Sequence, residues 1–198
     1  LLCHVSLERI FSELKGILCA RGAGEMLLAF PEVFFVLLPE LAPMRGFDTR
    51  RPQNHCWDVW GHTAHAVDAI APESVLRLTM LFHDSGKPKT FRFDPAAGYG
   101  KFPRHPQLGA EIADAVLRRL PCDNATRKTV MTLVENHEMR TGHGKKDLRR
   151  LLAKIGEENM RDLLLVRRAD AAAHAPEAAA RLTALADEDE RILNEITA

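Results

Sequence analysis

The sequence predicts an all-α protein. Apolar residues recur on a helical period through most of the chain, Pro and Gly interrupt them at helix-length intervals, and only one stretch alternates as a strand would. Ser6 is placed to N-cap a first helix whose Leu7, Ile10, Phe11, Leu14, Ile17 and Leu18 share a face, and "ARGAG" ends it. Two short helices are expected, from Glu25 to Phe30 and from Glu32 to Leu38, before the Pro/Gly/polar connector "LAPMRGFDTRRPQNH". Asp58 to Ile70 reads as a helix closed by "APES". The next helix runs from Ser74 to about Asp84, with Gly86 as its C-terminal cap and Pro88 just beyond. "KTFRFDPAAGYGKFPRH" predicts a small surface hairpin turning at "DPAAGYG". Helices are then expected over 108–119, 123–137, 145–155, 157–174 and 176–196. The division that follows is an N-terminal helical segment (1–50) packing on a core domain (51–175), with a C-terminal helix (176–198).

The 198 residues, 46% of them hydrophobic, suffice for one good core. Lys plus Arg (27) balances Asp plus Glu (27), so no whole-molecule field draws the chain to nucleic acid or a membrane surface. Cys3, Cys19, Cys56 and Cys122 are scattered without a C-x-x-C pair, which fits reduced thiols in a cytoplasmic protein. The longest apolar run, "MLLAFPEVFFVLL", falls short of the roughly 18–20 residues that span a bilayer and is broken by Pro31 and Glu32. The chain opens mid-pattern at "LLCHVSLERI", without an initiator Met or a signal peptide, and is expected to be part of something longer.

The stretch "LTMLFHDSGKPKTF" sets His83 beside Asp84 at the end of an apolar helix, where unsatisfied polar groups are costly. His62 and His65 share a face of the preceding helix, His105 follows the hairpin, His137 ends "TVMTLVENH", and Asp170 lies in "LLLVRRADAAAH". Imidazoles and carboxylates from several facing helices are how a bundle builds a metal site in its core. Spacing alone leaves open the other account, in which each is a hydrogen-bonded core or surface residue. An Asp at a helix C-terminus faces the unfavourable end of the dipole, which counts mildly against a capping role for Asp84.

"WGHT", "LFHDSGKP" and a distant Asp resemble the signature of the HD superfamily of metal-dependent phosphohydrolases. The resemblance implies an HD-domain helical bundle in which His62, His83, Asp84 and Asp170 hold one divalent ion, and His105 and His137 add a second. Together, "SLERIFSELKGIL", "LLPEL", "DVWGHT", "RLTMLFHDSGKP", "KFPRHPQLGAEIADAVLRRL" and "LVENH" look like the HD-containing region of bacterial CCA-adding tRNA nucleotidyltransferases, over roughly residues 5 to 170. In those proteins a strand-rich head with a D-x-D carboxylate pair precedes this region. Nothing like it stands in this sequence, and "DEDE" at 187–190 reads as a solvated helix face, so the chain is expected not to add CCA by itself.

Two activities are therefore expected as alternatives. In the first, the chain hydrolyses a phosphate ester of a nucleotide, cyclic nucleotide or other small molecule: Asp84 bridges the ions, a metal-activated hydroxide attacks phosphorus, and Lys87 takes up charge on the phosphate oxygens. In the second, the helices hold tRNA and hydrolyse nothing. Six N/O donors without a thiolate argue against structural zinc and suit Fe, Mn, Ni, Co or Mg. His65 is read as structural or as supporting the ligands, and His55 as a loop residue. Arg104, Arg140, Arg149, Arg150, Arg167 and Arg168 are candidate phosphate or RNA contacts, and Trp57 and Trp60 are expected in the core.

Overall fold

A computed structural model describes residues 5–49, 56–138 and 144–198. Among them the chain forms eleven α-helices, one 3-10 turn and one two-stranded sheet, an all-α bundle. Helices α1 (Leu7–Leu18), α2 (Ala23–Ala29) and α3 (Pro31–Leu37) lead through the 3-10 turn Pro39–Met44 to α4 (Val59–Ala69) and α5 (Ser74–Phe82). The short α6 (Lys87–Thr90) and strands β1 (Arg92–Asp94) and β2 (Tyr99–Lys101) precede α7 (His105–Arg119), α8 (Asn124–Asn136), α9 (Gly144–Ile155), α10 (Glu157–Ala172) and α11 (Pro176–Thr197). No helix of the described residues is long and apolar enough to cross a membrane.

Helix α5 is the axis of the bundle: it packs on α1, α4, α7, α8 and α10, and every residue from Leu76 to Phe82 is buried. Its polar members are satisfied locally. Thr79 Oγ1 donates to the Val75 carbonyl at 2.8 Å, and Arg77 donates to the Ala71 carbonyl at 3.2 Å. Ser6 caps α1, Asp58 caps α4 and Asp123 caps α8, each accepting a backbone N–H of its own first turn. The hairpin pairs Arg92 with Lys101, Phe93 with Gly100 and Asp94 with Tyr99, and it is anchored by Phe91 and Phe102 against Phe47.

The expected elements are all present, with several boundaries and two packing roles corrected. Helix α2 begins two residues early because Gly22 takes a left-handed turn (φ 75°), and α10 stops at Ala172. Helix α5 ends at Phe82, and Gly86 is not a left-handed cap, since its φ is −78°. A Cβ on Gly86 would stand 2.2 Å from the His105 carbonyl oxygen, so close approach of two backbones, not helix capping, calls for glycine there. Pro88 then starts α6 instead of closing α5. Helix α7 begins at His105, not 108, because Pro106 fits a first turn and Arg104 turns the chain in a left-handed conformation (φ 61°, ψ 21°). Arg104 is the one non-glycine with positive φ among the described residues, a choice that costs about 1 kcal/mol relative to glycine.

Trp60 is in the core, but Trp57 is 49% exposed, lying over the His65 ring at 4.4 Å between centroids. It precedes the helix, so the i, i+3 spacing that would have put it on the core face of α4 does not apply. The "DEDE" stretch is also not a plain solvated face, because Asp189 is buried against Arg167.

Candidate metal centre

Five helix ends converge on one buried cluster. His62 enters from the first turn of α4, His83 and Asp84 from the C-terminus of α5, His105 from the start of α7, His137 from the end of α8, and Asp170 from the last turns of α10. All are buried except Asp170, which keeps a quarter of its side chain exposed.

A repeated local device orients the rings. His83, His105 and His137 each set Nδ1 against the carbonyl three residues earlier, at Met80 (2.7 Å), Phe102 (3.0 Å) and Val134 (2.7 Å). The Nδ1 of His62 meets the Ala173 carbonyl at 3.2 Å. A carbonyl oxygen only accepts, so each Nδ1 carries a proton, and each ring presents Nε2 to the cluster, where it offers a lone pair whenever the ring holds no second proton. Those lone pairs point inward. The Nε2 atoms of His105 and His137 are 3.3 Å apart, two acceptors facing each other.

Asp84 lies between two groups of rings. Its Oδ2 is 3.4 Å from His83 Nε2 and 3.7 Å from His62 Nε2, while its Oδ1 is 3.5 Å from His105 Nε2 and 3.7 Å from His137 Nε2. Asp170 Oδ1 lies 2.8 Å from His62 Nε2 and 3.6 Å from His83 Nε2. Lys87 Nζ donates to Asp84 Oδ2 at 2.6 Å from a largely buried side chain.

Electrostatics follow from this crowding. Burial alone would raise the Asp84 carboxyl, but His83 and Lys87 outweigh it and hold the group well below the usual carboxylate range. Asp170 is likewise held well below that range, burial being overcome by His62 and His83. Burial also opposes charge on Lys87, yet Asp84 raises it. His62 is lowered, chiefly by burial. His83 is raised, because Asp84 and Asp170 outweigh its burial.

The residues present fit a divalent cation. Asp84 Oδ1 and His83 Nε2 are buried with no hydrogen-bond partner, and orphaned acceptors of that kind ask for a positive charge. Two donor groups have the compactness of metal sites, His62 with His83 and Asp84, and His105 with His137 and Asp84. Asp84 belongs to both, one oxygen toward each.

The remaining candidates are sorted by position. His65 Nε2 is buried without a partner, and its ring stacks on Trp57. Arg167 is taken up by Asp189, and Arg168 by Asp187 and Glu190, each at 2.7 Å. Arg150 lies 3.7 Å from Asp147, and Arg149 is exposed on α9. His55 and Arg140 lie outside the described residues. One member escaped the sequence reading: His174 sets its ring edge-on to His62 at 4.8 Å and its Nδ1 2.7 Å from the Asp170 carbonyl. With His62 and Asp170 it makes a third possible donor group. The i, i+4 spacing of Asp170 and His174 was the available signal.

The HD domain model matches residues 53–191. The chain is 37% identical over 170 residues to the CC-adding tRNA nucleotidyltransferase of Thermus thermophilus, and 31% identical over 170 residues to the A-adding tRNA nucleotidyltransferase of Deinococcus radiodurans. Each match takes in 82% of this chain and 38% of the relative, so the chain spans under half the length of these curated relatives. With the family model covering well over half of its residues and the His-Asp doublet at the heart of the bundle, the chain belongs to the HD-domain family.

Proposed function

We propose that this chain is a metal-dependent phosphohydrolase that cleaves a phosphate ester of a nucleotide, cyclic nucleotide or comparable small molecule. The observation that carries the reading is the set of inward-facing Nε2 lone pairs gathered around one ionised carboxylate. In this reading His62, His83, Asp84 and Asp170 hold one divalent ion, and Asp84, His105 and His137 hold a second; Fe, Mn, Ni, Co and Mg all suit the donors. Bound there, such an ion supplies an acidified water and charge neutralisation at phosphate oxygens.

The chain's own groups do the rest. The backbone carbonyls at Met80, Phe102 and Val134 fix the tautomers, so no ring turns its N–H toward the cation. Asp84 and Asp170 stay ionised and accept hydrogen bonds from water in the site. Lys87 has three N–H donors, and Asp84 orients the ammonium toward the centre, where a phosphate oxygen gaining charge is stabilised. Water oxygen bonds to phosphorus and gives up a proton to solvent on the exposed flank of Asp170, the P–O ester bond breaks, and the departing alkoxide takes a proton from that solvent to leave as the alcohol.

The second reading is a tRNA-holding region within a longer tRNA nucleotidyltransferase, and the activities for which the two relatives are named favour it. Phosphate release separates the two. Protein stripped of metal and reloaded with Mn, Co, Ni, Fe or Mg meets 2′,3′-cyclic nucleotides, mononucleotides and an aryl phosphate. The hydrolase reading expects release that needs metal and disappears in Asp84→Ala. Folded protein that releases nothing with any metal would leave the tRNA-holding reading.

A further inference from the structure

We propose that His174 is a further ligand of this centre, adding a nitrogen donor to the ion of His62, His83, Asp84 and Asp170 and so selecting a nitrogen-preferring ion such as Ni2+ or Fe2+ over Mg2+. The inference rests on the metal-binding part of the reading above and names the class of ion that the site takes.

His174 stands where α10 runs out. The helix stops at Ala172, ahead of Pro176, and its last carbonyls have no helical partners. One of them, the Asp170 carbonyl, lies 2.7 Å from His174 Nδ1 and accepts its proton. His83, His105 and His137 are tied through Nδ1 in the same manner, to carbonyls three residues back instead of four. A ring held by Nδ1 keeps Nε2 for a cation, as metal-ligating histidines do.

The ring is also in the right place. It meets His62 edge-on at 4.8 Å between centroids, and donor atoms of His62, Asp170 and His174 all lie within 4.8 Å of one another. Asp170 Oδ1 stands 2.8 Å from His62 Nε2, and the Ala173 carbonyl 3.2 Å from His62 Nδ1, so one short segment, 170–174, surrounds a single ligand ring. His174 lies on the side of the cluster that reaches solvent: its side chain is 10% exposed and that of Asp170 25%, against 2% or less for His62, His83 and Asp84. Without His174 the ion has two nitrogens and two carboxylates. With it nitrogen is in the majority, which suits Ni2+ or Fe2+, whereas Mg2+ prefers oxygen and keeps its waters.

The test titrates stripped, folded wild type, His174→Ala and His174→Phe with Ni2+ and with Mg2+ by calorimetry, and records the absorption spectrum of each after loading with Co2+. His174→Phe keeps a flat ring against His62 and removes both nitrogens. In both variants one bound Ni2+ should weaken by at least about 100-fold, beyond the loss typical of groups that only support ligands. The Mg2+ Kd should move by less than about threefold, because a water takes the place of the imidazole. The Co2+ spectrum should change in both variants, and thermal melts of the metal-free proteins check that they are folded. A residue that only packs against His62 gives another result: His174→Phe then binds Ni2+ as wild type does, which would overturn the proposal. Ni2+ Kd values for His174→Ala that all lie within about threefold of wild type, with an unchanged Co2+ spectrum, would overturn it as well. These titrations need no phosphate release, so a protein that hydrolyses nothing loses the hydrolase reading while the Kd values still decide on His174. A folded wild type that binds no Ni2+ would remove the ligand and the metal centre together.

Discussion

Two regions of this bundle bury charge, and they do so in opposite ways. Between α10 and α11, Arg167 meets Asp189 and Arg168 meets Asp187 and Glu190. Each positive group there has its negative partner within the chain, so the region is complete. At the candidate metal centre, four imidazoles and two carboxylates face one another with Lys87 as the one lysine among them. Arg167 and Asp189 show the arrangement of a structural ion pair. The histidine cluster shows an excess of acceptors that evolution would not keep buried for stability alone, since unpaired polar groups cost free energy.

That contrast can be broken at either end. The largest effect is expected at the carboxylate shared by both donor groups. Asp84→Asn keeps the shape but removes the charge, and metal-dependent phosphate release should fall by more than about 100-fold, beyond the loss typical of groups that only support ligands. A release assay with matched metal loading checks it. At the closed end, Arg167→Met leaves Asp189 buried without its partner and should cost about 3–5 kcal/mol in urea unfolding, with metal affinity unchanged. Adding Asp189→Leu in the same chain should recover most of that loss, because an apolar pair of similar volume replaces a buried ion pair at little net cost.

Chelation sharpens the comparison further. Metal at about 100 times its Kd should stabilise the fold by about 2.7 kcal/mol, and a chelator should remove that increment in wild type but find nothing to remove in Asp84→Asn. A thermal melt with and without chelator reads this directly.

The smallest effect is the pH dependence of the metal-free protein. Asp84 and Asp170 are held below their unfolded values, so their stabilisation is fully present above the unfolded carboxylate value and is lost as pH falls through the folded one. His62, lowered, also loses stabilisation as pH drops past the ordinary histidine value, whereas His83, raised, gains stabilisation there and loses it as pH rises through its folded value. The two histidine contributions act on opposite sides of the unfolded histidine value, so metal-free protein should melt highest near about pH 6.5, melt lower on either side, and lose further stability below about pH 4, near the unfolded Asp value.

Most of the framework was legible in the sequence. Apolar periodicity and the cap at Ser6 gave the helices, and the alternation around "DPAAGYG" gave the hairpin, because these signals are local. The His-Asp doublet was legible as chemistry, but its six-residue set came through resemblance, since spacing does not say which helix ends meet. What stayed hidden depends on contacts distant in sequence. Gly86 is glycine because of His105, Trp57 is exposed because it precedes the helix that Trp60 buries, and Asp189 is buried because α11 lies on α10. The left-handed backbone at Arg104 left no trace in its residue type, which is one that avoids that conformation.

The measurement that tests the central claim most directly is a calorimetric titration of Mn2+ into stripped, folded protein, beside Asp84→Asn. The account predicts one or two ions per wild-type chain and no saturable binding in the variant. Folded wild-type protein that binds no divalent ion, or that binds it equally well after Asp84→Asn, would contradict the claim that this buried cluster is built to hold metal.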